Sequence, residues 1–256
     1  QKQLTFNLFS NYGASWDPSG KKILYTAITA RGTRVFMQGF RPLRVKSVEV
    51  FFDEGTGSAA EWGSTGRVFI SKYVNRSNTD IYEYYLDGEK IYGMPTPKLR
   101  ESDRITKNSA IETEPALSPD GRYLALISDR TGSPQVYVRD MQRKKLTRIT
   151  ENGNYNVSPS WSPDGKFIAY ASRRSGVSSI YRIDPKSKEE NRVTPKNMNA
   201  ESPTWSPDGS MIAFSGKKGG DWKIYYSLSS GGQAVRLTNS KAGLQETMPS
   251  WGPSLR

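Results

Sequence analysis

Four short stretches of this chain concentrate carboxylates, amides and hydroxyls just ahead of a proline. They are Glu112-Thr113-Glu114 before Pro115, Asn156-Val157-Ser158 before Pro159, Glu201-Ser202 before Pro203, and Glu246-Thr247-Met248 before Pro249. Such side chains accept and donate hydrogen bonds and carry negative charge, which suits recognition of peptide N–H groups, hydroxyls or cations. Proton-shuttle or thiol chemistry is another matter, because the chain contains no His and no Cys. A Ser-His-Asp triad, a thiolate nucleophile and a histidine-bound zinc ion cannot be assembled from it. Carboxylate pairs remain available for glycosidase-type chemistry and acidic loops for calcium, but no segment has the spacing of an EF-hand loop. The expectation is therefore no catalytic residue, no metal ligand and no cofactor.

The elements that position these stretches are read from a repeated phrase. PALSPDGRYLALIS starts at Pro115, PSWSPDGKFIAYAS at Pro159 and PTWSPDGSMIAFSG at Pro203. A phrase copied three times is a structural unit before it is an active site. Ser-Pro-Asp-Gly has the chemistry of a type I turn: Pro presets φ at the second position, Asp bonds nearby backbone, and Gly closes the turn. The flanks alternate apolar and polar residues and read as strands, so each phrase is a hairpin. Trp161, just before the turn, is expected to pack on a neighbouring unit. A third strand comes next (PQVYVRD, SSIYRID, WKIYYS), then a fourth (LTRIT, NRVT, AVRLT).

Weaker copies are SWDPSGKKILYTA with Trp16, EWGSTGRVFIS with Trp62, and PSWGPS with Trp251; the third copy has Leu117 where the others have Trp. Anchor positions 16, 62, 117, 161, 205 and 251 differ successively by 46, 55, 44, 44 and 46. A period near 45 with four strands per unit predicts an all-β fold, a β-propeller of four-stranded antiparallel blades. The long interval holds DGEKIYGMPTPKLRESD, expected to be an exposed loop. Lys2–Phe6 reads as a fourth strand and Met248–Ser254 as a first strand with its turn. Together they predict six blades, one shared by the two termini and lacking its middle strands. One domain over 1–256 is the economical count.

In a propeller the first strand of each blade is innermost, so the connectors NSAIETEP, NGNYNVSP, KNMNAESP and KAGLQETMP would lie at the channel mouth. They make that mouth polar and locally acidic on a chain whose net charge is +12, from 37 basic and 25 acidic residues. The excess of basic charge fits either an anionic partner or a plain soluble surface. Its members are scattered; Arg173-Arg174, Lys217-Lys218 and Arg143-Lys144-Lys145 are read as lying in loops within blades. No nucleic-acid-binding signature is present, and no apolar run approaches membrane-spanning length.

The repeat W-S-P-D-G-x-x-I-A, followed by I-Y-x-x-D and R-x-T, resembles the propeller of the TolB family, as does the ending MPSWGPSLR. The resemblance covers Lys2 to Leu255. It implies a non-enzymatic, periplasmic, monomeric interaction propeller of the Tol-Pal envelope system. Its implied partners are a Pal-like peptidoglycan-associated lipoprotein and other Tol proteins, through which it would associate peripherally with the outer membrane. By matching motif position, the residues carrying that contact are Glu112, Thr113, Glu114, Asn156, Ser158, Glu201, Ser202, Glu246 and Thr247. The family's smaller N-terminal α/β domain has no counterpart in this chain. The same repeat also occurs in propellers attached to prolyl-oligopeptidase-type hydrolases; a G-x-S-x-G elbow beyond Arg256 would favour that reading. A third reading is glycan or peptidoglycan binding through Tyr12, Tyr155 and Trp222.

Overall fold

The computed structural model describes residues 10–39, 48–49, 57–63, 66–75, 78–87 and 98–252. Among these, twenty strands form five four-stranded antiparallel sheets, and within every sheet the strands lie in chain order. The first sheet is β1 (Ser10–Trp16), β2 (Lys22–Thr29), β3 (Gly32–Gly39) and β4 (Val48–Glu49). The second is β5 (Gly57–Trp62), β6 (Arg67–Asn75), β7 (Asn78–Asp87) and β8 (Lys98–Arg104). The third is β9 (Glu112–Leu117), β10 (Tyr123–Ser128), β11 (Gln135–Asp140) and β12 (Lys145–Arg148). The fourth is β13 (Tyr155–Trp161), β14 (Ile168–Arg174), β15 (Val177–Ile183) and β16 (Glu190–Arg192). The fifth is β17 (Asn199–Trp205), β18 (Met211–Lys217), β19 (Lys223–Leu228) and β20 (Val235–Arg236). Two compact units divide between Pro115 and Ala116.

The Ser-Pro-Asp-Gly phrase makes the first hairpin of the third, fourth and fifth sheets by one device. In the fourth sheet Gly165 N donates to Ser162 O at 2.9 Å, closing the turn. The Ser162 hydroxyl then works in both directions, donating to Asp164 Oδ1 at 2.7 Å and accepting from Phe167 N at 2.9 Å. Ser118 and Ser206 repeat the pattern with Asp120 and Asp208. In the first sheet the roles are exchanged. Asp17 takes the first turn position and Ser19 the third, and Asp17 Oδ1 accepts from Lys22 N at 2.6 Å. Either arrangement satisfies backbone donors that the turn leaves unpaired.

In the second to fifth sheets the fourth strand runs out into Arg-x-Thr, and that motif is a second device. The Thr hydroxyl accepts from a backbone N–H of the third strand: Ile81 to Thr106 at 2.9 Å, Val136 to Thr150 at 3.1 Å, Ile180 to Thr194 at 3.0 Å and Ile224 to Thr238 at 3.0 Å. The preceding Arg donates through Nε to the carbonyl of the same Thr, as Arg148 does at 2.6 Å and Arg192 at 2.9 Å.

Sheets pack face to face through period-two alternation. In the second unit, Ile168 and Tyr170 of β14 join Ala125, Ile127 and Val136 of the third sheet, while Ala169 and Ala171 join Trp205, Ile212 and Phe214 of the fifth. The fourth sheet is thus covered on both faces, which is why β14 opens with a continuous apolar run from Ile168 to Ala171. Trp161 packs on the third sheet as expected, and its indole N–H donates to Ala116 O at 3.0 Å; Trp205 donates likewise to Ser160 O at 2.9 Å. In the first unit, Leu24, Val35 and Met37 meet Trp62, Val68, Ile70, Tyr82 and Tyr84.

Some expectations are corrected. Lys98 to Asp103, read as part of an exposed loop, belong to β8, where Lys98 pairs with Asp87 and Arg104 with Tyr82. Arg173 and Arg174 lie in β14, Lys145 in β12 and Lys217 in β18 rather than in loops. The proposed fourth strand at Lys2–Phe6 lies outside the described residues. Five sheets are described where six blades were expected, and residues 246–252 form no strand. They nevertheless fasten to the fifth sheet as a first strand would, with Met248 N donating to Ser215 Oγ at 2.8 Å and Trp251 N to Thr204 Oγ1 at 3.3 Å.

Candidate functional site

The residues ahead of each Pro share one backbone geometry. Three positions before the repeat anchor the chain adopts positive φ: 62° at Gly13, 51° at Glu114, 55° at Ser158, 55° at Ser202 and 53° at Met248. The strand pairing slips at the same place, between Tyr12 and Ser15, Val157 and Ser160, and Glu201 and Thr204. Each is a β-bulge, which re-aims a side chain and accommodates a residue that cannot join the ladder. At Ser158 and Ser202 that residue is the next one, Pro159 or Pro203, which has no N–H to give; after Gly13 it is Ala14. Only Gly13 takes the left-handed conformation without steric cost; the other four hold it at about 1–2 kcal/mol each.

The bulge separates the nine candidate residues by depth. Glu112 and Asn156, two positions before the bulge residue, are fully buried at 0 % exposure, and Ala200 at the same position is equally buried. Thr113, Glu114, Ser158, Glu201, Ser202 and Glu246 are half-buried, and Thr247 is exposed. In the first unit, Thr113 Oγ1 donates to Ser71 Oγ at 3.1 Å. In the second unit, Asn156 Nδ2 donates to Gln135 Oε1 at 2.7 Å and to Asn152 O at 3.0 Å, and Thr150 Oγ1 donates to the same Gln135 oxygen at 2.8 Å. Glu246 N donates to Trp222 O at 2.9 Å, and its carboxylate lies 3.9 Å from Lys223 Nζ.

These contacts expose a row of residues that sequence reasoning passed over. In the second to fifth sheets, the residue before the Ile-Tyr or Val-Tyr pair of the third strand is Asp80, Gln135, Ser179 or Lys223, all buried. Each fastens the end of the fourth strand or the connector beyond it. Asp80 accepts from Arg104 Nε at 2.9 Å and from Thr106 Oγ1 at 3.0 Å. Ser179 accepts from Arg192 at 2.8 Å. Lys223 donates to Ser240 Oγ at 2.6 Å and to Leu244 O at 2.7 Å, which holds the connector leading to Glu246. A polar residue recurring at one position of an otherwise apolar strand was the available signal.

Two further groups have displaced proton affinities. Burial pushes the Glu61 carboxyl up to about 7, against a hydrogen bond from Ser15. Burial also opposes ionisation of Glu190, but hydrogen bonds from Arg174 and Tyr170 outweigh it and hold that carboxyl below the usual range. No cluster of three or more acidic side chains that could hold a metal ion occurs among the described residues.

Four-stranded sheets of meandering strands, begun by a bulge in the first, second, fourth and fifth and closed by an Arg-x-Thr latch in the second to fifth, define a β-propeller. More narrowly, the chain belongs to the TolB beta propeller domain family, whose model matches residues 11–255. A protein TolB homolog of Chlorobium luteolum is 30 % identical over 139 residues, covering 54 % of this chain and 28 % of that protein. The Tol-Pal system protein TolB of Bordetella pertussis is 53 % identical over 34 residues, 13 % of this chain and 8 % of the relative. The crystal structure of TolB from Acinetobacter baumannii superposes with a TM-score of 0.78 at 24 % identity, covering 96 % of this chain and 58 % of that one. The chain therefore spans well under two thirds of each of these proteins.

Proposed function

We propose that this chain is a non-enzymatic interaction propeller of the Tol-Pal type, acting as a monomer in the periplasm. Its partner is a Pal-like peptidoglycan-associated lipoprotein, which brings it to the outer membrane together with other Tol proteins. In the second unit the contact is made by Ser158, Glu201, Ser202 and Thr247, which lie at the surface; in the first unit Thr113 and Glu114 hold the matching repeat positions. Glu112, Asn156 and Glu246 act behind them, the first two as buried supports. The repeat positions support six blades, with Lys2–Phe6 and Met248–Ser254 contributing to the sixth.

The observation that carries this reading is the bulge itself. Left-handed backbone at a glutamate, two serines and a methionine is costly, and such strain clusters where a side chain must be aimed at something. A family whose relatives are Tol-Pal proteins supplies the partner class. The test is surface plasmon resonance of the purified chain against an immobilised Pal-like lipoprotein lacking its lipid, at low and moderate salt. The salt step is needed because a chain of net charge +12 collects anions without specificity. Glu201→Lys and Glu114→Lys, introduced singly, should each weaken binding about tenfold or more, as charge reversal at an interface does. Binding unchanged by both would place the contact elsewhere.

A further inference from the structure

A cavity of about 220 Å³ opens in the second unit between the third and fourth sheets, at the turn ends of the strands. Of β13 it is lined by Trp161, three residues beyond Ser158, and it includes none of the residues of the proposed lipoprotein contact. Its apolar wall is Tyr123 and Trp161, whose rings sit 6.4 Å apart at 30°. The Trp161 ring is held in place because its N–H is committed to Ala116 O. The rim is cationic. Arg143, Lys145 and Lys186 line it and are exposed, and none is in an ion pair or side-chain hydrogen bond among the described residues. The carboxylate at the rim, Asp140, is already occupied: its Oδ1 accepts from Gln142 N and Arg143 N at 3.0 Å each, and its Oδ2 faces Arg122 at 3.4 Å.

We propose that this cavity is a binding site for a small planar aromatic molecule carrying an anionic substituent. The volume falls below the roughly 300–1,000 Å³ of sites that hold drug-sized ligands, so it suits one ring system and not a chain. The fixed indole receives the ring without having to order first, which lowers the cost of binding. Three unpartnered cations at one edge select the anion and leave a neutral ring without its polar contact. Gly165 and Pro185 complete the lining with Val138, Thr147 and Ile149.

The experiment is isothermal titration calorimetry of the intact chain with 2-naphthoate, and with 2-naphthylmethanol as the uncharged equivalent. The parent should bind the acid about tenfold more tightly, each exposed cation contributing no more than a few-fold. The triple variant Arg143→Ser, Lys145→Ser, Lys186→Ser alters only exposed side chains and should bind both compounds alike. A charge-matched control at a distant cationic surface, Lys196→Ser with Lys217→Ser and Lys218→Ser, all exposed, should bind as the parent does. The Trp161 indole N–H resonance should shift on addition of the acid. Failure of the parent to bind the acid saturably would overturn the proposal. So would undiminished preference in the triple variant, or equal loss in the control.

Discussion

The Arg-x-Thr latch makes a graded prediction, because four copies of one hydrogen bond sit at different depths. Thr150 and Val136 are both fully buried, and the Thr150 hydroxyl accepts from Val136 N and donates to Gln135 Oε1. Thr150→Val preserves shape but orphans a buried N–H, at about 1–3 kcal/mol, and removes a second bond of about 0.5–1.5 kcal/mol. The sum is about 3 kcal/mol. Thr194 makes only the first of these bonds among those described, with Ile180 N, and Thr194→Val should cost about 2 kcal/mol. Thr238 is half-buried, so water can replace its hydroxyl, and Thr238→Val should cost less than about 1 kcal/mol. Thr→Ser at each site keeps the hydroxyl and loses one methyl, about 1 kcal/mol where buried. Urea unfolding of the parent and six variants measures the series, with m-values checked for constancy. The reasoning fails if Thr150→Val is no worse than Thr150→Ser, or if Thr238→Val costs as much as Thr150→Val.

Other expectations come from single sites. Because Glu61 holds its proton to about 7 in the folded chain against 4.5 ordinarily, its contribution to stability is complete below about pH 4.5 and lost as pH rises through 7. Glu61→Gln should therefore gain on the parent by up to about 3 kcal/mol near pH 8 and not near pH 4, read from chemical denaturation at the two pH values. Gly153 has φ +78°, and a Cβ there would lie 2.7 Å from Ser172 Oγ. Gly153→Ala should cost about 1–3 kcal/mol and disturb the Asn156 amide, visible as a shifted side-chain NH₂ resonance. Trp205→Phe removes the donor to Ser160 O while keeping a ring, and should cost about 1–2 kcal/mol by urea unfolding.

Much of the strand plan was legible because its signals are local. Ser-Pro-Asp-Gly closes a turn with atoms no more than five residues apart, so the hairpins of the third, fourth and fifth sheets could be read from four letters. The inverted Asp17-Pro-Ser-Gly copy works by the same exchange of donor and acceptor. The strand at Lys98–Arg104 was missed because KLRESDR has neither alternation nor β-branched residues; it pairs because β7 offers it a ladder. That is tertiary context overriding propensity.

The candidate site divides in the same way. Spacing alone marked Glu112 to Glu114, Asn156 to Ser158 and Glu201 to Ser202 as equivalent stretches ahead of the first strands. It treated a glutamate and its neighbour alike. Only the folded chain placed Glu112 and Asn156 in the interior and left Thr113, Glu114, Ser158, Glu201 and Ser202 half-exposed. The bulge is what sorts them, and its position depends on how the strand meets its partner.

The sequence by itself determined the repeat, its period, the turns, the order of strands within a unit and the absence of histidine and cysteine chemistry. These rest on composition and on contacts within a few residues. Only the tertiary structure decided which polar residues face inward, which connector each of Asp80, Gln135, Ser179 and Lys223 fastens, and where an aromatic wall meets a cationic rim. Burial and charge environment are set by strands some 44 residues away in the neighbouring sheet, and no local pattern encodes that distance.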